Sequence, residues 1–182
     1  MLNQQLSQVR GLLCRSEMKL SDAQLIVLRY LRTRLPADRL VWINRELLGY
    51  TKADLPSLYD QPKPKQLALS WLHGKNYVLA VPQYRFLNGY WGSLSEDGHL
   101  VCMDVPHLSD RSVFCNIGIQ QIEIQLEEID DPQLHMLSMS ADELTGAEFY
   151  CWSTELVRIH DAVRQKLCDF LEVIMAEPKL QT

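Results

Sequence analysis

Glu46 and Arg85 are the ionisable residues whose surroundings constrain them most. Glu46 lies four residues after Trp42, so the two share one helix face, with Leu40, Ile43 and Leu47 as an apolar stripe beside them. Arg85 closes the segment Pro82-Gln83-Tyr84-Arg85. The proline removes a backbone donor and keeps a strand at a sheet edge, so Tyr84 and Arg85 are expected to point to opposite faces. An inward guanidinium needs a carboxylate, because burying it without a partner is prohibitively costly, and Glu46 or Glu123 is the expected one. Convergence of Glu46, Arg85 and the run from His99 to Asp110 in one cleft would suit a nuclease or hydrolase of unrecognised class, whereas burial of Glu46 and Arg85 as a closed pair would be structural. We favour the structural pair.

A second group is His99, Asp104, His107 and Asp110, hard and borderline metal ligands within one strand and loop. No helical His-x-x-x-His pair accompanies them, so the run reads as a polar loop and no metal or other cofactor is expected. Cys115 and Cys151 read as buried small hydrophobes, and His160 as a half-exposed boundary residue. The Gly-x-Ser-x-Gly elbow, the phosphate-binding loop and the paired-glycine dinucleotide fingerprint are all missing, and no catalytic residue is assigned.

The elements that must position Glu46 and Arg85 are legible in the spacing of apolar residues. Leu2, Leu6, Val9 and Leu13 mark a first helix to about Cys14. Ser21-Asp22-Ala23-Gln24 matches a capping box, with Leu20 and Leu25 at staple positions, for a second helix whose stripe is Leu25, Leu28, Leu31 and Leu35. A third runs from about Ala37 to Leu48. Gly49 stands where a left-handed residue ends it, and Tyr50 follows to pack over its last turn. Residues 51–76 read as an exposed, proline-punctuated connection. From Asn76 to Val105 short strands and turns are expected, including 77–81 and a hairpin around Asp97-Gly98. A helix across 117–129, strands over 133–139 and 147–152, and a long last helix capped by Ser153 complete the chain. The fold class is therefore α+β: N-terminal helices, a small antiparallel sheet, and a long C-terminal helix on the core.

Nothing repeats and no low-complexity linker divides the sequence, so residues 1–182 form one domain. Apolar residues make up 47% and charged residues 23%, an ordinary globular balance. A net charge of −5, with 18 basic residues scattered among 23 acidic ones, disfavours nonspecific wrapping of duplex nucleic acid. The five cysteines are widely spaced, no apolar run reaches the ~20 residues a bilayer requires, and the start lacks a secretory pattern. A soluble, reduced cytoplasmic protein with no membrane partner is expected.

Taken together, Trp42-x-x-x-Glu46-Leu47-Leu48-Gly49-Tyr50, Pro82-x-Tyr84-Arg85 and Ile159-x-x-Ala162-Val163-Arg164-x-x-Leu167 resemble the AbiTii domain of bacterial abortive-infection proteins. The family pattern has a Trp followed by Glu-Leu-Asn-Gly-Tyr, then Pro-x-Tyr-Arg, then a closing helix with Val-Arg. This chain has Leu48 in place of the Asn and a longer segment, Thr51 to Val81, between the first two motifs. The resemblance implies a role in defence against bacteriophage and supplies no reaction. Motif positions carried over are Trp42, Glu46, Gly49, Tyr50, Pro82, Tyr84, Arg85 and Arg164.

Our expected function is a protein-interaction or regulatory module, binding a protein partner or itself. The alternatives are the enzyme described above, and nucleic-acid binding through Arg29, Arg32, Arg34, Arg39 and Arg45. The Trp42–Tyr50 corner is expected to meet both the Tyr84-Arg85 strand and the Arg164 helix.

Overall fold

A computed structural model describes residues 2–51, 82–97, 99–103, 112–133, 135–142 and 145–177. Helix α1, Leu2–Cys14, buries the four residues its spacing singles out: Leu2, Leu6, Val9 and Leu13. Helix α3, Ala37–Leu48, starts after Pro36 and buries Leu40, Ile43, Glu46 and Leu47. An acidic residue thus sits inside an otherwise apolar stripe.

Helix α2 departs from expectation at its start and in its buried face. It spans Leu20–Leu31, with Lys19 at the cap position and no side-chain cap of its own. The Ser21/Gln24 box does not form, because a carboxylate from elsewhere takes the donors. Glu123 accepts from the backbone N–H of Leu20 at 2.7 Å and of Ser21 at 3.3 Å, and from the Ser21 hydroxyl. A negative charge at a helix start meets both the unpaired N–H groups and the positive end of the dipole. Leu20, Ala23, Gln24, Val27 and Leu31 face inward, while Leu25 is left 47% exposed. The expected staple is therefore absent.

After a 3-10 turn at Gln83–Arg85, the described residues form six short strands: β1 Phe86–Asn88, β2 Tyr90–Leu94, β3 Leu100–Cys102, β4 Ser112–Phe114, β5 Met136–Ala141 and β6 Glu148–Trp152. They form an antiparallel pair β1–β4 and an antiparallel four-stranded sheet in the order β3-β2-β6-β5. The expected hairpin is present as the antiparallel β2–β3 pair, with Ser95 N–H donating to His99 O at 2.8 Å, and Gly98 lies outside the described residues. The β5–β6 hairpin carries a register shift at Ser138/Ser140 and turns at Gly146, whose φ is 70°. Alternation sends Trp91 and Phe149 to the core side, their rings 5.4 Å apart edge to face. The expected strand 77–81 and connection 51–76 lie outside the described residues.

Helix α4, Ile119–Glu127, buries Ile119 and Ile122. Helix α5, Thr154–Ala176, buries Leu156, Ile159, Val163, Leu167, Cys168, Leu171 and Ile174 as one stripe. At ~1.5–3 kcal/mol for each large aliphatic side chain removed from water, α5 is the main organiser of the core. Ser153 precedes it without capping it: its hydroxyl donates instead to the carbonyls of Pro132 at 2.8 Å and His135 at 3.1 Å. The architecture is α+β, with N-terminal helices, small antiparallel sheets and the long last helix against the core.

Candidate functional site

The end of α3 is fixed by two glycines that let backbones touch. Gly49 has φ 96° and ψ 178° and forms a single antiparallel bridge with Ile117. The positive φ meets the sequence expectation, but ψ is extended, so the chain leaves the helix straight and not through a left-handed cap. This region is essentially restricted to glycine. A Cβ here would lie 2.5 Å from the Asn116 carbonyl oxygen, and one on Gly118 would collide with the backbone at Leu47 and Leu48. With the bridge in place, Tyr50 N–H donates to Asn116 O at 2.8 Å and the Tyr50 ring folds back over α3.

Pro82 starts the 3-10 turn with φ −63°, and its carbonyl accepts from Arg85 N–H at 3.0 Å. A turn here replaces the expected edge strand. Tyr84 and Arg85 therefore do not diverge to opposite faces; both reach Glu46. Oε1 of Glu46 accepts from the Tyr50 hydroxyl at 2.7 Å and the Tyr84 hydroxyl at 2.6 Å. Oε2 accepts from Arg85 Nε at 2.9 Å and from Arg85 Nη2. Arg85 spends its remaining donors on backbone: Nη1 on the carbonyls of Ile117 at 2.6 Å and Cys115 at 3.5 Å, Nη2 on that of Glu46 at 3.3 Å. Of the two candidate partners for Arg85, the structure selects Glu46.

Both charged side chains are completely buried, at 0% exposure. A carboxylate offers about four acceptor positions and a guanidinium five donors, and here all are committed. Such a pair has no free lone pair for a general base and no free N–H for an anion. Burial pushes the Arg85 guanidinium down, and the adjacent Glu46 charge more than reverses this, so the cation is held firmly protonated. Burial, then the Glu46 charge, push both Tyr50 and Tyr84 well above the ordinary phenol range, so both stay donors. Glu46 and Arg85 form the closed structural pair, which removes them as candidates for the enzyme reading.

Aromatic rings and α5 seal the outside. Tyr50 meets Phe114 edge to face at 5.3 Å, and the Arg85 guanidinium carbon lies 5.4 Å from the Tyr50 ring centre. Lys166 donates to the Tyr84 hydroxyl at 3.1 Å while its ammonium rests 4.4 Å from the centre of the Trp42 ring, which in turn packs on Phe170. Burial lowers the Lys166 ammonium, with Glu46 partly offsetting the effect. Arg158 donates to the carbonyls of Tyr84 at 3.0 Å and Phe86 at 2.6 Å, clamping the turn onto α5. Sequence reasoning missed Lys166, Arg158, Phe114 and Gly118, which no motif marks.

Arg164 is the motif position that does not join this cluster. It donates to Leu13 O at 3.4 Å and to the Ser16 hydroxyl. Its helix does meet the corner, but through Lys166, which at ~100° per residue projects from roughly the opposite side. Arg164 instead borders a groove of about 420 Å³ with Ser16, Met18, Lys19, Glu123 and His160. There His160 Nε2 lies 3.3 Å from Glu123 Oε1, and the two side chains are 12% and 11% exposed. Hydrogen bonds from His160, Ser21 and the α2 backbone outweigh burial and hold the Glu123 carboxyl below its ordinary range.

Cys115 and Cys151 are buried, and burial raises both thiols, Cys151 to about 12. They pack as small hydrophobes. His99 is exposed, and Asp104, His107 and Asp110 lie outside the described residues. Among the described residues no three His, Cys, Asp or Glu side chains are placed to hold a metal ion. Arg39 is paired with Glu177 at 2.6 Å, whereas Arg29, Arg32 and Arg34 are exposed. No described helix is long and apolar enough to cross a membrane. Comparison with protein-family models, with curated proteins and with solved structures finds no match for this chain.

Proposed function

We propose that this chain is an AbiTii-type domain of bacteriophage defence, acting in the cytoplasm as a protein-interaction or regulatory module. The observation that carries the reading is the convergence of its motif residues. Trp42, Glu46, Gly49, Tyr50, Pro82, Tyr84 and Arg85 come from two separated segments and build one closed knot. Residues that act together as a knot are what a fold signature consists of, and a sealed knot leaves function to the surface.

The surface offers an apolar patch suited to a protein partner. Register pairs Tyr90 with Tyr150 and Met136 with Trp152, so Tyr90, Leu94 and Trp152 share the outer face of the four-stranded sheet. They are 48%, 53% and 44% exposed. Exposed aromatic and aliphatic side chains gathered on one face favour protein association over solvation.

The test is phage plating on bacteria that express the full chain, alongside Tyr90→Asp and Trp152→Asp variants matched for abundance and melting temperature. The expected result is that wild type lowers plating efficiency at least tenfold and that the variants lose this protection while remaining folded. Wild-type plating equal to that of empty cells would overturn the defence role. Protection that survives both substitutions would overturn this face as the interaction surface.

A further inference from the structure

Helices α1 and α5 run antiparallel, and their register is pinned on both sides of one side-chain pair. Toward one end, the Asn3 side chain donates to Met175 O at 3.5 Å and Arg10 bonds Glu172 at 2.7 Å. Toward the other, Arg164 donates to Leu13 O and to the Ser16 hydroxyl. Between these anchors Cys14 Sγ and Cys168 Sγ stand 3.3 Å apart. Cys14 is exposed, as the last residue of α1, and Cys168 is 5% exposed. A disulfide needs its sulfurs at about 2.05 Å, so closure requires the two to approach by little more than an ångström. Nothing in the sequence suggests the pair, since 154 positions separate its members.

We propose that Cys14 and Cys168 form a redox-active thiol pair that closes to an intramolecular disulfide when the chain meets hydrogen peroxide. The exposed Cys14 supplies the thiolate that attacks the peroxide O–O bond. An S–O bond forms, the O–O bond breaks, and one water leaves, giving Cys14 sulfenic acid. Cys168 then attacks the Cys14 sulfur, the S–S bond forms, the S–O bond breaks, and the departing hydroxide takes the Cys168 proton to give a second water. Two thiols lose two electrons and two protons to one hydrogen peroxide. Burial, with Cys14 beside it, pushes the Cys168 thiol up to about 12. The accessible Cys14 is therefore the peroxide-facing thiol, and the buried Cys168 resolves it by position, its sulfur 3.3 Å away. Fixed helix register supplies the proximity that makes the second step intramolecular.

The disulfide would tie the two ends of the chain together, closing a loop over most of its length and restricting the unfolded state. The experiment uses the purified, fully reduced chain, treated with hydrogen peroxide, denatured, alkylated and weighed. The expected result is a fall from five alkylatable thiols to three and a cross-linked peptide pair carrying Cys14 and Cys168. The melting temperature should rise by about 5–15 °C, reversibly with a dithiol reductant. Cys168→Ser should retain a sulfenic acid on Cys14 that a cyclic diketone traps, and Cys102→Ser, outside the pair, should behave as wild type. Five free thiols after treatment, or a disulfide between other cysteines or between chains, would overturn the proposal. The wild-type mapping alone decides it if a variant fails to fold.

Discussion

Glu46 and Glu123 are both largely removed from water and both meet four donors, yet they do different work. Glu46 is matched by a permanent cation and two phenols, inside a knot that water does not reach. Glu123 is matched by a helix N-terminus, a hydroxyl and an imidazole, on the edge of an open groove. The counter-charge makes the difference. A guanidinium is charged at every accessible pH, so the Glu46 pair is a fixed pin. A helix N-terminus and a hydroxyl provide only partial charges, so the Glu123 cap is the weaker anchor.

The severest way to break the contrast is Arg85→Ala. It leaves Glu46 buried opposite two phenols, and the expected cost is about 3–5 kcal/mol, read by chemical denaturation. Replacing Glu46 and Arg85 together with leucine and methionine should cost clearly less than the two single changes summed, because neither charge is then stranded. A loss below ~1 kcal/mol for Arg85→Ala would mean that water or a rearranged neighbour relieves the carboxylate, and the knot would no longer count as closed.

Gly49→Val tests the geometry that delivers Tyr50 to the pair. The substitution combines a positive φ with a Cβ placed against the Asn116 carbonyl, and we expect a loss of about 2–3 kcal/mol. An unchanged melting temperature would refute the backbone assignment. The Tyr50→Phe variant, which keeps the ring and removes the hydroxyl, should fall below this, at ~1–2 kcal/mol.

The smallest effect sharpens the other side of the comparison. The folded-state pKa of Glu123 is lowered, so its stabilising contribution is complete above the ordinary carboxylate value of ~4.3 and is lost as pH falls through the lower folded value. Wild type should therefore lose melting temperature on acidification more steeply than Glu123→Gln. At neutral pH the same substitution should cost only about 1 kcal/mol, in the range of a helix cap. Parallel acid limbs for the two proteins would show that the cap carries no proton linkage.

Much of the fold was legible because local patterns and tertiary burial agree. The 4-3-4 spacing in α1, the Pro36 and Gly49 boundaries of α3 and the stripe of α5 all reappear in the structure. Legibility failed where a partner from far along the chain competes with a local device. Ser21 and Gln24 spell a capping box, but Glu123 arrives with a full negative charge and takes the donors. Ser153 sits at a cap position, but its hydroxyl is drawn to the carbonyls of Pro132 and His135. Tyr84 and Arg85 follow a proline that suggests an edge strand, yet a 3-10 turn aims both at one carboxylate.

The sequence by itself determined that an inward-facing Arg85 would need an acid and that Glu46 lay beside an apolar stripe, since the cost of an unpaired buried charge permits little else. It also placed the end of α3 at Gly49. Only the tertiary structure decided that the acid is Glu46 and not Glu123, that Lys166 and Arg158 close the knot while Arg164 faces a groove, and that Cys14 meets Cys168. The physical reason is that burial cost is a property of one residue and its neighbours in sequence. The identity of a partner depends on which helix faces are brought together, and a shift of two residues along α5 turns a side chain to roughly the other side of the helix.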